Sequence, residues 1–300
     1  MKSPMSSSQS SMQGESRQIR LPPGGLGDLP SPSPVMQRIR AIVASPGSSA
    51  RDIVAALKLD PVTSGKVLRL ANSASIGIPR TVSSLQNAVV LLGQKRVLSL
   101  VTVSELFCVF KKKAGGWFSF SLKNHWRHSI TTAMVAESIA RHLSNKESIE
   151  SEEVFSAGIL HDIGKLALGW YDPERMAESV RHSLSSQVPF HTVEHHESSH
   201  PVLGAMLLDQ WNFPHDLTEA VRNHHSPLVS TEPDVLTSIV HLSDVAAHIL
   251  GFQTFDGEAI PAFNQSAVER IDISAERLKV IAQEVIADEQ RIESAFTAMD

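Results

Sequence analysis

Between Val35 and Phe107 the apolar positions recur at helical intervals, punctuated by capping residues. Val35, Met36, Ile39, Ile42 and Val43 fall at i, i+1, i+4, i+7 and i+8, a single stripe on a helix that Pro34 can open. Ser49, with Asp52 three positions on, has the form of a cap with an acidic partner and opens a short helix through Leu57. Asp60-Pro61 sets a cap and a first-turn proline ahead of Val67, Leu68 and Leu70, toward Asn72. Ser84 opens a segment carrying Leu85, Ala88, Val89 and Leu92, which Gly93 can close. No strand alternation interrupts the series. Short amphipathic helices on short connections predict an all-α bundle rather than a βαβ unit.

The same reading holds around Ile130 to Leu143, Val154 to Leu168, Val202 to Trp211, Asp216 to Asn223 and Val235 to Ile249. After Gly251 the pattern lapses into a linker with phenylalanines and Pro261. Ser274 then caps a long helix whose Leu278, Ile281, Val285, Ile292 and Phe296 share one face. Packing on its own bundle is the simpler use of that face, and a homodimer is the other. At the opposite end, Met1 to about Arg20 hold too few apolar side chains to offset their ordering entropy, so residues 1–28 are expected to be a disordered tail. The Pro-Gly-rich lead-in from Leu21 runs into the first helix. The expected organisation is a tail over 1–28, a first helical part over 29–118, a second over 119–250, and a linker with a C-terminal amphipathic helix over 251–300.

Composition narrows the classes. The 300 residues carry a formal charge of -5 with 42% hydrophobic residues, an ordinary globular chain. The apolar run Val97 to Phe110 is interrupted by Glu105 and falls short of the ~20 residues a membrane-spanning helix needs. MKSPMSSSQSSMQG has no apolar core and cannot serve as a secretory signal, so a cytoplasmic location is expected. The single cysteine, Cys108, rules out an internal disulfide and reads as a small buried hydrophobe. A pI near 6.3 argues against direct nucleic-acid binding, and the one basic run, Lys111-Lys112-Lys113 beside Gly115-Gly116, reads as a solvated loop.

Histidine changes the picture. All 14 lie between His125 and His248, which confines metal or acid-base chemistry to the middle of the chain. The run Gly158-Ile159-Leu160-His161-Asp162-Ile163-Gly164-Lys165 sets a histidine and an aspartate side by side at the end of an apolar helical segment. His128 upstream, and His200, His224, His225 and Asp244 downstream, add one or two donors from each of several helices, which is how bundles assemble metal sites. Asp162 is placed to bridge two ions, and Lys165 to neutralise a phosphate, an arrangement suited to phosphoester hydrolysis. Alternatives stay open at this point. His125 lies one turn before His128, and His241 and His248 share a helix face with Asp244. His224 and His225, adjacent on a helix, point about 100° apart, so both need not ligate the same ion. Lys165 reads equally as a surface lysine in a last turn. His191, His195 and His196 read as an exposed loop, and Trp126, Trp170 and Trp211 as packing residues.

The order His128, His161-Asp162, His200, His224-His225, Asp244 resembles the HD phosphohydrolase superfamily. The preceding helices resemble the HDOD domain in Leu29-Pro30, in Asp60-Pro61 followed by Lys66-Val67-Leu68-Arg69-Leu70-Ala71-Asn72-Ser73-Ala74, in Ile78-Pro79, and in Ser83, Leu85 and Ala88 through Leu92-Gly93. The likeness spans about Leu29 to Leu250, and it selects His200, ahead of Pro201-Val202-Leu203-Gly204, over His195 and His196.

The resemblance implies an HD-domain-like helical bundle preceded by a helical HDOD subdomain, with the metal-binding part over 119–250. HD enzymes hydrolyse nucleotides and phosphodiesters with iron, manganese, magnesium or zinc, and HD-GYP proteins cleave cyclic di-GMP. HDOD proteins are similar in fold, have often lost ligands, and are regarded as bacterial signalling modules. This chain keeps the ligand series but reads Ser226-Pro227-Leu228 where the Gly-Tyr-Pro motif would stand, and has Asn124 in place of a glutamate one turn before the first histidine. Two readings follow. One is a regulatory protein that retains a site for one or two divalent ions and acts through signalling-pathway proteins or a nucleotide ligand. The other is an active phosphohydrolase or phosphodiesterase using His128, His161, Asp162, His200, His224, His225 and Asp244 as ligands, with Asp162 and Lys165 catalytic. In a third, the metal only fastens helices together.

Overall fold

The computed structural model describes residues 32–73, 81–113, 121–143, 149–227 and 234–287. The expectations for the tail and lead-in, for Ala74 and Ile78-Pro79, for the Gly115-Gly116 loop, for Leu228, and for Ile292 and Phe296 fall outside those residues. Among the described residues every regular element is a helix, so the chain is all-α.

Helices α1 (Pro34–Val43), α2 (Ala50–Leu57), α3 (Pro61–Ala71), α4 (Leu85–Leu92) and α5 (Gln94–Lys113) build the first half. Their starts follow the local chemistry. Ser33 Oγ accepts the Met36 amide, the Asp52 carboxylate accepts the Ser49 amide, and Asp60 accepts those of Val62 and Thr63. Gly93, at φ 78, turns α4 directly into α5 in a conformation that side chains rarely adopt. Asn72 explains part of the Leu-Arg-Leu-Ala-Asn-Ser string: its amide group both donates to Val82 O and accepts from Val82 N, each at 2.7 Å, pinning the chain after α3 to the approach of α4.

The second half comprises α6 (Leu122–Leu143), α7 (Ser151–Leu160), α8 (Ile163–Tyr171), α9 (Pro173–Ser186), the short α10 (Phe190–Val193), α11 (His200–Gln210), α12 (His215–Asn223), α13 (Val235–Ile249), α14 (Gln265–Ile271) and α15 (Ala275–Ile286). Helices α6, α7 and α13 pack on one another, and α8 packs on α11. Two glycines set how closely these layers approach. A Cβ on Gly158 would stand 2.8 Å from Ala133 Cα on α6, and one on Gly164 would stand 1.8 Å from His200 O on α11.

Several expectations change. Val154 to Leu168 is two helices, broken at His161-Asp162. The apolar pattern runs through the break because both helices are buried nearly all round, leaving no polar face whose phase could shift. The stretch read as a linker contains α14, opened by Asn264, which accepts the Ser266 and Ala267 amides. Cys108 is half-buried rather than enclosed, because it lines an open cleft between α3 and α5, where Lys66 sets its ammonium 2.9 Å from the thiol. Trp126 and Trp211 are buried, and Trp170 meets Phe110 edge-on at 5.4 Å, all three as packing residues. The described part of the last apolar face, Leu278, Ile281 and Val285, packs on α6 and α13. No helix among the described residues is long and apolar enough to cross a membrane.

The Gly164 contact leads to a stability prediction. Gly164→Ala should cost about 3 kcal/mol or more, because the atoms its Cβ meets are backbone and cannot rotate away. Gly65→Ala, whose Cβ would meet only an Arg69 guanidine nitrogen at 3.9 Å, should be neutral or gain about 0.5–1 kcal/mol. Urea unfolding of the two variants checks both signs.

Candidate functional site

The break between α7 and α8 creates the centre of the site. Helix α7 ends at Leu160, leaving carbonyls without intrahelical partners, and His161 satisfies one by donating Nδ1–H to Gly158 O at 2.8 Å. Asp162 is the N-cap residue of α8, yet its side chain makes no capping bond and points into the site instead. The same device recurs at the end of α12, where His224 donates Nδ1–H to Val221 O at 2.6 Å. His128, in mid-α6, donates Nδ1–H to Phe252 O at 2.7 Å, from the segment after α13. His200 begins α11: its amide and its Nδ1 both donate to the Glu194 carboxylate. These partners assign the tautomers, so His128, His161 and His224 each turn an Nε2 lone pair inward.

The inward atoms converge. His128 Nε2 lies 3.1 Å from His161 Nε2, 3.1 Å from Asp244 Oδ1 and 3.5 Å from Asp162 Oδ2. On the other side of Asp162, Oδ1 lies 3.1 Å from His200 Nε2 and 3.7 Å from His224 Nε2, and His225 Nε2 is 3.1 Å from His200 Nε2. Three overlapping donor sets result: His128, His161 and Asp162; His128, Asp244 and His248; Asp162, His200, His224 and His225. Every residue singled out from the sequence as a metal ligand is present, and Asp162 faces two of the sets with different oxygens. These side chains are buried, with His225 the most open at 10% exposure.

The alternatives resolve by position. His125 joins none of the three sets among the described residues. His241 uses both ring nitrogens structurally, donating Nδ1–H to His224 O at 2.7 Å and accepting the Asn264 amide at 2.9 Å. His248 stands beside Asp244 rather than replacing it, with Nδ1 3.0 Å from Asp244 Oδ1. His195 and His196 are exposed, but His191 stacks on the His225 ring at 4.0 Å.

Lys165 is not a surface lysine of a last turn. It lies in the first turn of α8, fully buried, with Nζ 2.8 Å from Asp162 Oδ2, 3.5 Å from Glu258 Oε1 and 3.3 Å from Thr254 Oγ1. Glu258, Thr254 and Glu194 were not legible as site residues, because each lies in a stretch with no helical period to place it. For the two glutamates the sole signal was a charge flanking an apolar or histidine-rich run, and Thr254 had none.

Electrostatics follow from burial and pairing. Burial alone would raise the Asp162 carboxyl, but the Lys165 ammonium, then His161 and His200, hold it well below the usual carboxylate range. Burial would lower Lys165, and Asp162 and Glu258 reverse that and raise it. Glu258, which burial would raise, is drawn down to about 2 by Lys165 and His248. His200 and His248, which burial would lower, are raised to about 9 by Glu194 and Asp162 and to about 10 by Asp244. Burial pushes His224 and His225 well down, so their nitrogens remain available as donors to a cation.

The donor set fits a divalent ion. Lone pairs on His128 and His161 face each other at 3.1 Å with carboxylate oxygens alongside, an arrangement that a divalent ion satisfies, as does a proton on one of the rings. Among the described residues Asp244 has only imidazole nitrogens of His128, His161, His225 and His248 beside its carboxylate, and Asp162 has the Lys165 ion pair and its own imidazole neighbours. Imidazole and carboxylate donors without thiolate suit iron, manganese or zinc over softer metals, and magnesium less well.

A profile of the HDOD domain matches residues 29–227. Among solved structures, the chain is similar to a candidate phosphohydrolase from Shewanella amazonensis SB2B, at 23% identity and TM-score 0.68 over 92% of this chain and 96% of that one. It is also similar to a candidate signal transduction protein from Marinobacter aquaeolei VT8, at 21% identity and TM-score 0.71 over 91% of this chain and 60% of that one. Among curated proteins, a Treponema pallidum (strain Nichols) protein is 23% identical over 232 residues, 76% of this chain, and the match spans 44% of its length. The structural likenesses show the fold, and the profile covers more than half of the sequence: the chain belongs to the HDOD domain family.

Proposed function

We propose that this chain is a bacterial signalling or regulatory module that holds one or two divalent first-row ions in its second half, the metal serving to fasten helices α6, α7, α11, α12 and α13 around Asp162. The observation that carries the reading is the convergence on two carboxylates of imidazole lone pairs whose rings are fixed through their outer nitrogens. A bound divalent ion supplies positive charge and Lewis acidity at those donors. The chain's own residues do the positioning. The Gly158, Val221 and Phe252 carbonyls and the Glu194 carboxylate set four imidazole orientations, and Lys165 holds Asp162 ionised and in place.

Two features favour the regulatory reading over turnover. The candidate ligands are buried, with His225 the most open, which suits an ion that fastens helices together. Lys165, expected as a phosphate contact, is spent on Asp162 and Glu258. The hydrolase reading draws on one observation, that the two oxygens of Asp162 face separate donor sets as a two-ion bridge would.

Protein purified without chelator should contain one to two equivalents of iron, manganese or zinc by mass spectrometry, lost in His161→Ala and Asp162→Ala, and should not turn over bis(p-nitrophenyl) phosphate. Metal-free wild type, even after reconstitution, overturns the metal reading. Metal-dependent turnover abolished by Asp162→Ala replaces the regulatory reading with the hydrolase.

Glu194→Gln should weaken metal affinity about 10–100-fold while leaving helix content unchanged, as competition with a chromophoric chelator would show. Lys165→Met should cost about 3–5 kcal/mol in metal-free protein by leaving Asp162 and Glu258 without their shared cation. Adding Glu258→Gln should recover part of that loss in urea unfolding.

A further inference from the structure

The first half carries a cleft that the metal reading does not use. It opens between α3 and α5, with a volume of about 290 Å³. Its walls are apolar, with Val67 and Leu70 on α3 facing Leu100 and Val101 on α5; Ser33 and Thr63 line it with hydroxyls already bonded to Glu105 and Asp60, and its other polar groups are Asp60, Lys66, Ser104, Glu105 and Cys108. That volume suits one small molecule and is at the low end of ligand sites in general.

The polar groups are unequally satisfied. Asp60 is saturated as an N-cap, accepting from Val62 N, Thr63 N and Thr63 Oγ1. Glu105 accepts from the amide and hydroxyl of Ser33. The donors fare worse. Lys66, 8% exposed, has one hydrogen-bond partner among the described residues, the Cys108 sulfur, which is a poor acceptor. Ser104, 3% exposed, has a hydroxyl with no hydrogen-bond partner among the described residues. A buried polar group without a partner is a cost that native structures rarely leave standing. Among the described residues, Lys66 and Ser104 are thus donors at the cleft without a good acceptor.

Charge decides which acceptor. Two carboxylates, Asp60 and Glu105, line the cleft against one ammonium, so an incoming anion would meet net negative charge in a poorly solvated site. An incoming cation would leave both donors unanswered.

We propose that the α3–α5 cleft is a binding site for an uncharged small molecule that presents a carbonyl-type acceptor to Lys66 and Ser104 and an apolar tail to the valine and leucine walls. This site lies apart from the metal centre and does not rest on metal being bound. Its helix α5 also packs against α7, the helix that leads into His161-Asp162. The Lys66 and Leu70 positions of the Lys-Val-Leu-Arg-Leu string thus acquire a role besides packing.

The chain provides its own reporter, because Cys108 is its single cysteine and lines the cleft. Alkylation of that thiol by iodoacetamide, followed by intact mass, reads occupancy at one site. Three probes sharing a five-carbon tail separate the charge classes: hexanamide, hexanoate and hexylamine. Hexanamide should slow alkylation saturably, about five- to tenfold, with a Kd on the order of 1 mM or tighter for so small a ligand. Hexanoate and hexylamine at equal concentration should leave the rate unchanged. Ser104→Ala, a change too small to threaten folding, should abolish protection by hexanamide, and so should Lys66→Met. Absence of protection by hexanamide overturns the proposal, as does equal protection by hexanoate or protection that survives in Ser104→Ala. Running the series on His161→Ala protein keeps the result independent of the metal site: protection there should match wild type.

Discussion

The second half of the fold depends on burying more negative charge than its lysine can answer. Asp162, Asp244, Glu194 and Glu258 all have side chains within 2% of complete burial, and Lys165 is the one buried lysine among them. A carboxylate out of water costs several kcal/mol unless it is paired and hydrogen-bonded. Three of the four charges therefore need partners other than lysine. Without metal, raised His200 and His248 take two protons and leave one negative charge over. With neutral imidazoles, a single divalent ion leaves the same residue of charge, and two ions overshoot to one positive. The histidines are thus the adjustable part, either proton carriers or metal donors, around fixed carboxylates.

That demand explains the surrounding architecture. Helix ends are where carbonyls lack partners, and two of the inward-facing imidazoles, His161 and His224, sit at such ends and use those carbonyls to fix their tautomers. The segment after α13 closes the cluster with Phe252 O on His128, Thr254 on Lys165 and Glu258 on both Lys165 and His248. His241 ties this segment down by joining Asn264 to the end of α12. Gly164 and Gly158 permit the close helix approach that brings Asp162 to His200 and α7 to α6. Site and core are one construction here, since the same backbone contacts set ligand geometry and packing.

The two halves solve their polar burial differently. In the first, Asp60 is satisfied locally as a cap and Glu105 by Ser33 at the start of α1, leaving donors rather than acceptors short of partners at the α3–α5 cleft. In the second, acceptors are in excess. Complementary deficits of this kind suit different ligands, a neutral acceptor in one case and a cation in the other.

Much of this was legible in the chain itself. Caps at Ser49, Asp60, Ser84 and Ser274, with helical spacing behind them, placed the starts of α2, α3, α4 and α15, and Pro34 that of α1, because those signals act within one or two turns. The histidine series marked the metal candidates because ligand chemistry requires those residue types. Periodicity could not see the break at His161-Asp162, since a helix buried on every side has no polar face to mark its end. Nor could it choose between His125 and His128, give Lys165 its burial, or bring Glu194 and Glu258 to the cluster. Those outcomes depend on which segments meet across the bundle. Composition and spacing were enough for an all-helical chain and for the residue types able to hold a cation; which of them face one another came from the packed fold, because long-range packing, not local propensity, sets side-chain direction in a buried core.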